Sequence, residues 1–224
     1  MRSDQSAAIV DEIERARAQE YALLAVLLAG PPDADLLGRL ANLKTEASLL
    51  GAAHAALARA AATADCERLS REYFDLFIGV GRGELVPYGS YYLAGSLHAS
   101  TLARLRADLA TLGLSRAERC REPEDHAALL CEVMAGLVDR RFDTPSGADR
   151  SMFEKHLAPW IGRFFADLQT AKNANFYRCV AVVGREFVAI ENEAFRLADE
   201  DNASSTEQRN DKRNEQPAAF GAAT

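Results

Sequence analysis

The stretch "MFEKHLAPWIGRFFADL", Met152–Leu168, decides the fold. Its large apolar residues (Met152, Phe153, Leu157, Trp160, Ile161, Phe164, Phe165 and Leu168) recur every three or four positions, with His156 on the same stripe. That spacing lays one continuous apolar face along an α-helix, whereas a half-buried strand would alternate. The same period returns in both directions. Downstream, Phe176, Val180, Val183, Phe187, Ile190 and Ala194 form the next stripe. Upstream, Leu102, Leu105, Leu109 and Leu112 form one, and Cys66, Leu69, Tyr73, Leu76, Phe77 and Val80 another. An alanine-rich run from Gly51 to Ala62 favours helix by propensity alone. Near the start, Ile9, Ile13 and Ala16 lead into Leu23, Leu24, Leu27 and Leu28, and Gly30-Pro31-Pro32 ends that helix. Asp33 or Asp35 then caps a short helix carrying Leu36, Leu37, Leu40 and Leu43. Period-two segments with turn signals are essentially absent. The pattern predicts an all-α protein: one helical bundle of about eight or nine helices over residues 1–200.

Two segments depart from it. "GVGRGELVPYGSYYLAGS", Gly79–Ser96, is rich in Gly and Tyr, contains Pro87, and is not a regular helix throughout. Residues 201–224 are polar, with Phe220 the only large apolar side chain, and predict a disordered tail.

Hydrophobic residues make up 48% of the 224, enough for a real core, and charged residues at 26% keep the surface wet. The net charge of −7 argues against a general nucleic-acid binder and suits a basic peptide partner. The four cysteines, Cys66, Cys120, Cys131 and Cys179, are far apart with no CxxC pair, which points to reduced thiols rather than a metal cluster or disulfide framework. The charged N-terminus lacks the apolar core of a secretory signal, and no apolar run reaches the roughly 20 residues of a membrane span. A soluble, cytoplasmic chain without stable membrane insertion is expected.

Few motifs carry catalytic chemistry. Gly79–Gly83 follows a helix rather than a strand, and Glu84 stands where a dinucleotide fingerprint needs its third glycine. No Glu-x-x-His pair exists for a di-iron bundle; in "FEKHL", Glu154 lies two residues before His156. Ser90 sits in a turn, "YGSYY", without the frame of a nucleophile elbow. "RRF" at Arg140–Phe142 is internal and lies at a helix C-terminus, where cations complement the dipole. That leaves "CREPEDHAALLCEVMAGL", Cys120–Leu137. Pro123 suits a first helical turn, and Glu122, Glu124 and Asp125 favour its positive end. Leu130, Val133, Met134 and Leu137 supply the core face behind them. A protonated His126 gains nothing from that place, so Asp125–His126 reads as either a helix start or a clamp for a polar ligand.

Three segments, taken together, resemble one family. "YFDLFIGVGRGELVPYGSYYLAGSL" (Tyr73–Leu97), "EPEDHAALLCEVM" (Glu122–Met134) and "FEKHLAPWIGRFFADL" (Phe153–Leu168) are similar in order and spacing to the TorD/DmsD redox-enzyme maturation chaperones. The first matches a Leu-Phe, glycine, then Pro-aromatic-x-Ser pattern, with Tyr88 where the family often has Trp; the second matches an E-P-x-D-H hinge, the third an H-L-x-x-W helix. The match runs from about Ala22 to Ala198, and the hinge is its specific part.

The resemblance implies an all-α fold whose helical halves join near Arg116–Glu124, and a non-enzymatic chaperone. It would bind the twin-arginine signal peptide, or the apo-enzyme, of a molybdenum- or tungsten-dependent oxidoreductase until the cofactor is inserted. It implies no resident cofactor, admits weak guanine-nucleotide binding, and allows a monomer or a domain-swapped dimer. The client-binding residues expected are Tyr73, Leu76, Phe77, Gly79, Pro87, Tyr88, Ser90, Tyr91, Glu122, Asp125 and His126. Asp125 and Glu122 would accept bidentate hydrogen bonds from arginine, and Leu76, Phe77, Pro87, Tyr88 and Tyr91 would line an apolar groove. Two alternatives stand beside this. One is a metal-dependent phosphohydrolase using His98, Asp125, His126 and His156; the other is a non-catalytic helical adaptor.

Overall fold

A computed structural model describes the backbone of residues 2–94, 99–118 and 120–214, and the side chains within residues 9–94, 100–118 and 120–200. His98 lies outside the described residues, as do 215–224 of the expected tail. The chain divides into two compact units, Met1–Val188 and Ala189–Thr224.

The first unit is all-helical, as expected. Its elements are α1 (Arg2–Ala29), α2 (Ala34–Leu40), α3 (Leu49–Ala62), α4 (Cys66–Tyr73), α5 (Gly89–Ala94), α6 (Ala99–Thr111), α7 (Ala127–Val138), α8 (Ala148–Met152), α9 (Ala158–Thr170) and the start of α10 (Phe176–Asn214). Wide π turns, Phe74–Ile78 after α4 and Phe153–Leu157 between α8 and α9, merge these into nine rods among the described residues. Short polar side chains start the early helices: Asp33 accepts the Leu36 N–H at 2.8 Å, Ser48 that of Gly51 at 2.9 Å, and Asp65 that of Arg68 at 2.9 Å.

The stripe Met152–Leu168 is the core, yet it is not one regular helix. Pro159 has no N–H to donate and its ring crowds the carbonyl one turn back. The chain answers with a π turn, in which the Ala158 N–H reaches the Phe153 carbonyl five residues back. Beyond it Trp160, Ile161, Phe164, Phe165 and Leu168 are fully buried. The most extensive helix pairing is α1 against α7, and Leu24, Leu27 and Leu28 of the first and Leu130, Cys131 and Met134 of the second are all buried.

Carboxylates and hydroxyls fasten the remaining ends. The last carbonyls of α1 accept from two tyrosines: Leu28 from Tyr73 at 3.2 Å, Leu27 from Tyr177 at 3.1 Å. Glu72 accepts the backbone N–H groups of Asn175 and Tyr177 at 2.8 and 2.9 Å, satisfying donors at the start of α10. Glu84 accepts those of Lys172 and Asn173 at 2.6 and 3.1 Å. The irregular loop after α4 is thereby tied to the turn between α9 and α10.

In the second unit α10 continues as helical backbone through Asn214, with Arg196 bridging Glu193 and Glu200 on its surface. No helix among the described residues is long and apolar enough to cross a membrane.

Candidate functional site

Pro87–Ser90 passes antiparallel to Asp125–Ala127 and makes a single β bridge, Tyr88 opposite His126. The Gly89 N–H donates to the Asp125 carbonyl at 2.9 Å and the Ala127 N–H to the Pro87 carbonyl at 2.8 Å. Gly89 is required here: a Cβ would lie 2.9 Å from the indole nitrogen of Trp160. The bridge therefore brings the Gly-Tyr segment, the acidic hinge and the core stripe to one junction.

Asp125 is 3% exposed, and its Oδ2 accepts the Ser90 N–H at 2.8 Å, meeting a free donor at the start of α5. His126, 6% exposed, is the N-cap of α7: its Nδ1 accepts the Ala128 N–H at 3.1 Å. Burial pulls the imidazole pKa down against the opposing charges of Glu122 and Asp125. The ring is neutral near pH 7, with its proton on Nε2 and Nδ1 free to accept. A protonated ring gains nothing at this place and cannot cap; the neutral ring can. Helix α7 also starts at Ala127 rather than at Pro123, so Glu122–Asp125 form a turn ahead of it, closed by His126 N–H donating to the Pro123 carbonyl at 3.1 Å.

Glu122 is exposed and accepts the Tyr88 hydroxyl at 2.5 Å, while the Tyr88 ring stands edge-on to His126 at 5.1 Å. Burial, then that hydrogen bond, raise the Tyr88 pKa well above the usual phenol value. Tyr73 is pushed up to about 12, by burial first and the Glu122 charge second. One carboxylate thus acts on both tyrosines. Glu124 pairs with Arg106 at 2.8 Å and Arg116 at 3.5 Å. Burial raises its pKa, but the Arg106 hydrogen bond, a backbone hydrogen bond and the charges of both arginines outweigh this and hold it below the ordinary value. Arg116 also donates to the carbonyls of Cys120 and Glu122, which pins the hinge.

The structure divides the expected site residues by exposure. Leu76, Pro87 and Ser90 are buried, and Leu76 is 0% exposed. Phe77 is half-buried, its ring 5.0 Å from that of Tyr73 and 5.4 Å from that of Tyr177. Tyr91 is half-buried under Arg82, whose guanidinium sits 5.0 Å over the ring and donates to the hydroxyl at 2.7 Å. Gly79, at φ +62°, is the left-handed residue that ends the π turn. The exposed apolar side chains lie elsewhere: Phe74 at 43%, Ile78 at 51% and Val80 at 97%. The helical stripe placed Val80 in the core and passed over the other two. The π turn from Phe74 to Ile78 shifts the register, and Gly79 turns the chain outward, so the period of 3.6 no longer assigns faces there. The glycine directly after the stripe was the available signal.

Of the residues of the phosphohydrolase alternative, His98 lies outside the described residues, and Asp125, His126 and His156 are engaged in hydrogen bonds within the fold. His126 is a helix cap, and His156 Nε2 donates to Asp108 Oδ2 at 2.7 Å. Among the described residues no group of three or more His, Cys, Asp or Glu side chains is placed to hold a metal ion.

The junction is thus fastened by backbone and cap hydrogen bonds, with Glu122, Phe74, Ile78 and Val80 left exposed. Residues 44–166, more than half the chain, match the family model described as nitrate reductase delta subunit. The chain belongs to that family, the TorD/DmsD-like redox-enzyme maturation chaperones, which are not enzymes. It is 26% identical to the chaperone protein TorD of Aliivibrio fischeri over 43% of its own length and 49% of the relative's. It is also 26% identical to TorD of Actinobacillus succinogenes, over 49% of its length and 55% of the relative's. The chain spans about half the length of these curated relatives. In fold it resembles a crystal structure from Archaeoglobus fulgidus described as a redox enzyme maturation protein, with a TM-score of 0.51 and 21% identity over 77% of this chain and 93% of the other.

Proposed function

We propose that this protein is a cytoplasmic maturation chaperone for a molybdenum- or tungsten-dependent oxidoreductase, gripping the precursor by its twin-arginine signal peptide until the cofactor is in place. The observation that carries this is an exposed carboxylate whose charge reaches the tyrosine that leads into an exposed apolar segment. Glu122 is held by Tyr88, and its charge reaches Tyr73, the residue next to Phe74. Two guanidinium groups followed by an apolar stretch are the complement of that arrangement: Glu122 takes an arginine by charge-assisted hydrogen bonds, and Phe74, Ile78 and Val80 take the apolar stretch. On this reading Asp125 and His126 position the junction, and Leu76 and Pro87 support it from below. The negative charge of the chain, −7, favours encounter with a basic peptide.

Calorimetric titration with twin-arginine peptides of candidate client enzymes tests the reading, with Lys-Lys versions as controls. Saturable binding, lost with the Lys-Lys peptide and weakened at least tenfold by Glu122→Gln, is expected. Absence of binding to every such peptide overturns the signal-peptide reading and leaves a chaperone that grips the mature part of its client.

A further inference from the structure

A cleft of about 450 Å³ opens between α6 and the π turn that leads into α9. Its size is that of a small-molecule site. Leu93 and Pro159 give it apolar wall, and Arg104, Asp108, Lys155 and His156 bring four ionisable groups to it. A second, smaller hollow of about 110 Å³ shares Asp108, Lys155 and His156, so these three stand between two openings. None of these residues belongs to the junction or the rim assigned to the client.

The cleft has an uneven charge. His156 donates to Asp108 at 2.7 Å, which fixes the imidazole and occupies one carboxylate oxygen. The Lys155 ammonium stands 3.9 Å from that same carboxylate. One acid and two basic side chains, Lys155 and Arg104, therefore line the cleft, and Arg104 is exposed with no ion-pair partner among the described residues. The local backbone is unusual as well. Lys155 and His156 are consecutive, yet the π turn lets both reach the cleft, and π turns recur at functional sites. The carbonyl of His156 is not left open, since the Trp160 indole N–H donates to it at 2.7 Å.

We propose that this cleft binds a small organic anion, a phosphate- or carboxylate-bearing molecule with an apolar body. Arg104 and Lys155 hold the anionic group, Arg104 in the bidentate manner its planar fork allows. Leu93 and Pro159 cover the apolar part. The His156–Asp108 pair orients one wall, and Asp108 holds the exposed Lys155 ammonium at its edge. The site is independent of the client surface and stands or falls separately from it.

The test is isothermal titration of the full chain with phenyl phosphate and, in parallel, with 3-phenylpropionate, both at matched ionic strength. Saturable binding of at least one probe is expected, weakened at least tenfold by Arg104→Gln and unchanged by Glu122→Gln. Arg104 is exposed and unpaired, so its replacement leaves the fold intact, as circular dichroism will verify. The probe that binds more tightly identifies the anionic head as phosphate or carboxylate. No saturable binding of either, or binding that survives Arg104→Gln with Lys155→Gln, overturns the proposal.

Discussion

A histidine at a helix N-terminus is unfavourable when charged and useful when neutral, and His126 is a case of the second kind. Its Nδ1 accepts the Ala128 N–H, and burial keeps the ring unprotonated. In the unfolded chain it titrates near 6.5; in the fold it titrates lower. Between those values the unfolded state binds more protons, so stability rises with pH. The contribution is complete above the unfolded value and is withdrawn as pH falls towards the folded one. Chemical denaturation from pH 7.5 down to 5 should show a loss of stability that His126→Asn, which caps without titrating, largely removes. An equal slope in both proteins would show that the acid sensitivity originates elsewhere. None of this was legible from "EPEDH". The residues announced a helix start, but only the packing of Tyr88 and the burial behind it decide whether the ring carries a charge.

At the scale of elements, the apolar period placed the helices well because each stripe has one dry face to bury. It failed where the period itself changes. The π turn Phe74–Ile78 and the exit at Gly79 move the faces of Phe74, Ile78 and Val80 out of the predicted register, whereas the stripe across the π turn before Pro159 stays buried. The β bridge between Tyr88 and His126 was equally hidden, since it joins segments far apart in sequence by backbone groups that carry no residue signature. It depends on the closeness of α5 to α9, where Gly89 lies against the Trp160 indole. Gly89→Ala should therefore cost about 1–3 kcal/mol by overpacking, read as a lower denaturation midpoint with unchanged slope. An unshifted midpoint would mean that α5 retreats without strain.

For the whole molecule, the candidate surface separates into a supporting layer and a touching layer. Asp125, His126 and Leu76 lie inside, and Glu122, Phe74, Ile78 and Val80 lie outside. A mutation in the first layer confounds folding with binding; one in the second does not. Phe74→Ser combined with Ile78→Ser should abolish most of the affinity for a twin-arginine peptide while the thermal midpoint moves by only a few degrees. Retained affinity in that variant would remove the rim from the site. The sequence named the exposed Glu122 together with Leu76, Pro87, Ser90, Asp125 and His126, which lie inside, because motif resemblance favours side chains that hold a fold as readily as those on the surface.

Trp160 is the only tryptophan in the chain. It is fully buried, its N–H is engaged, Tyr92 stacks on it at 5.6 Å, and Gly89 lies directly against it. The molecule therefore carries a single tryptophan fluorophore, excited apart from the tyrosines at long wavelength, at the seam between its helical body and the segment bearing Tyr88. Its emission colour and quenching by acrylamide will report whether that seam opens when a client is taken up, without any label being added.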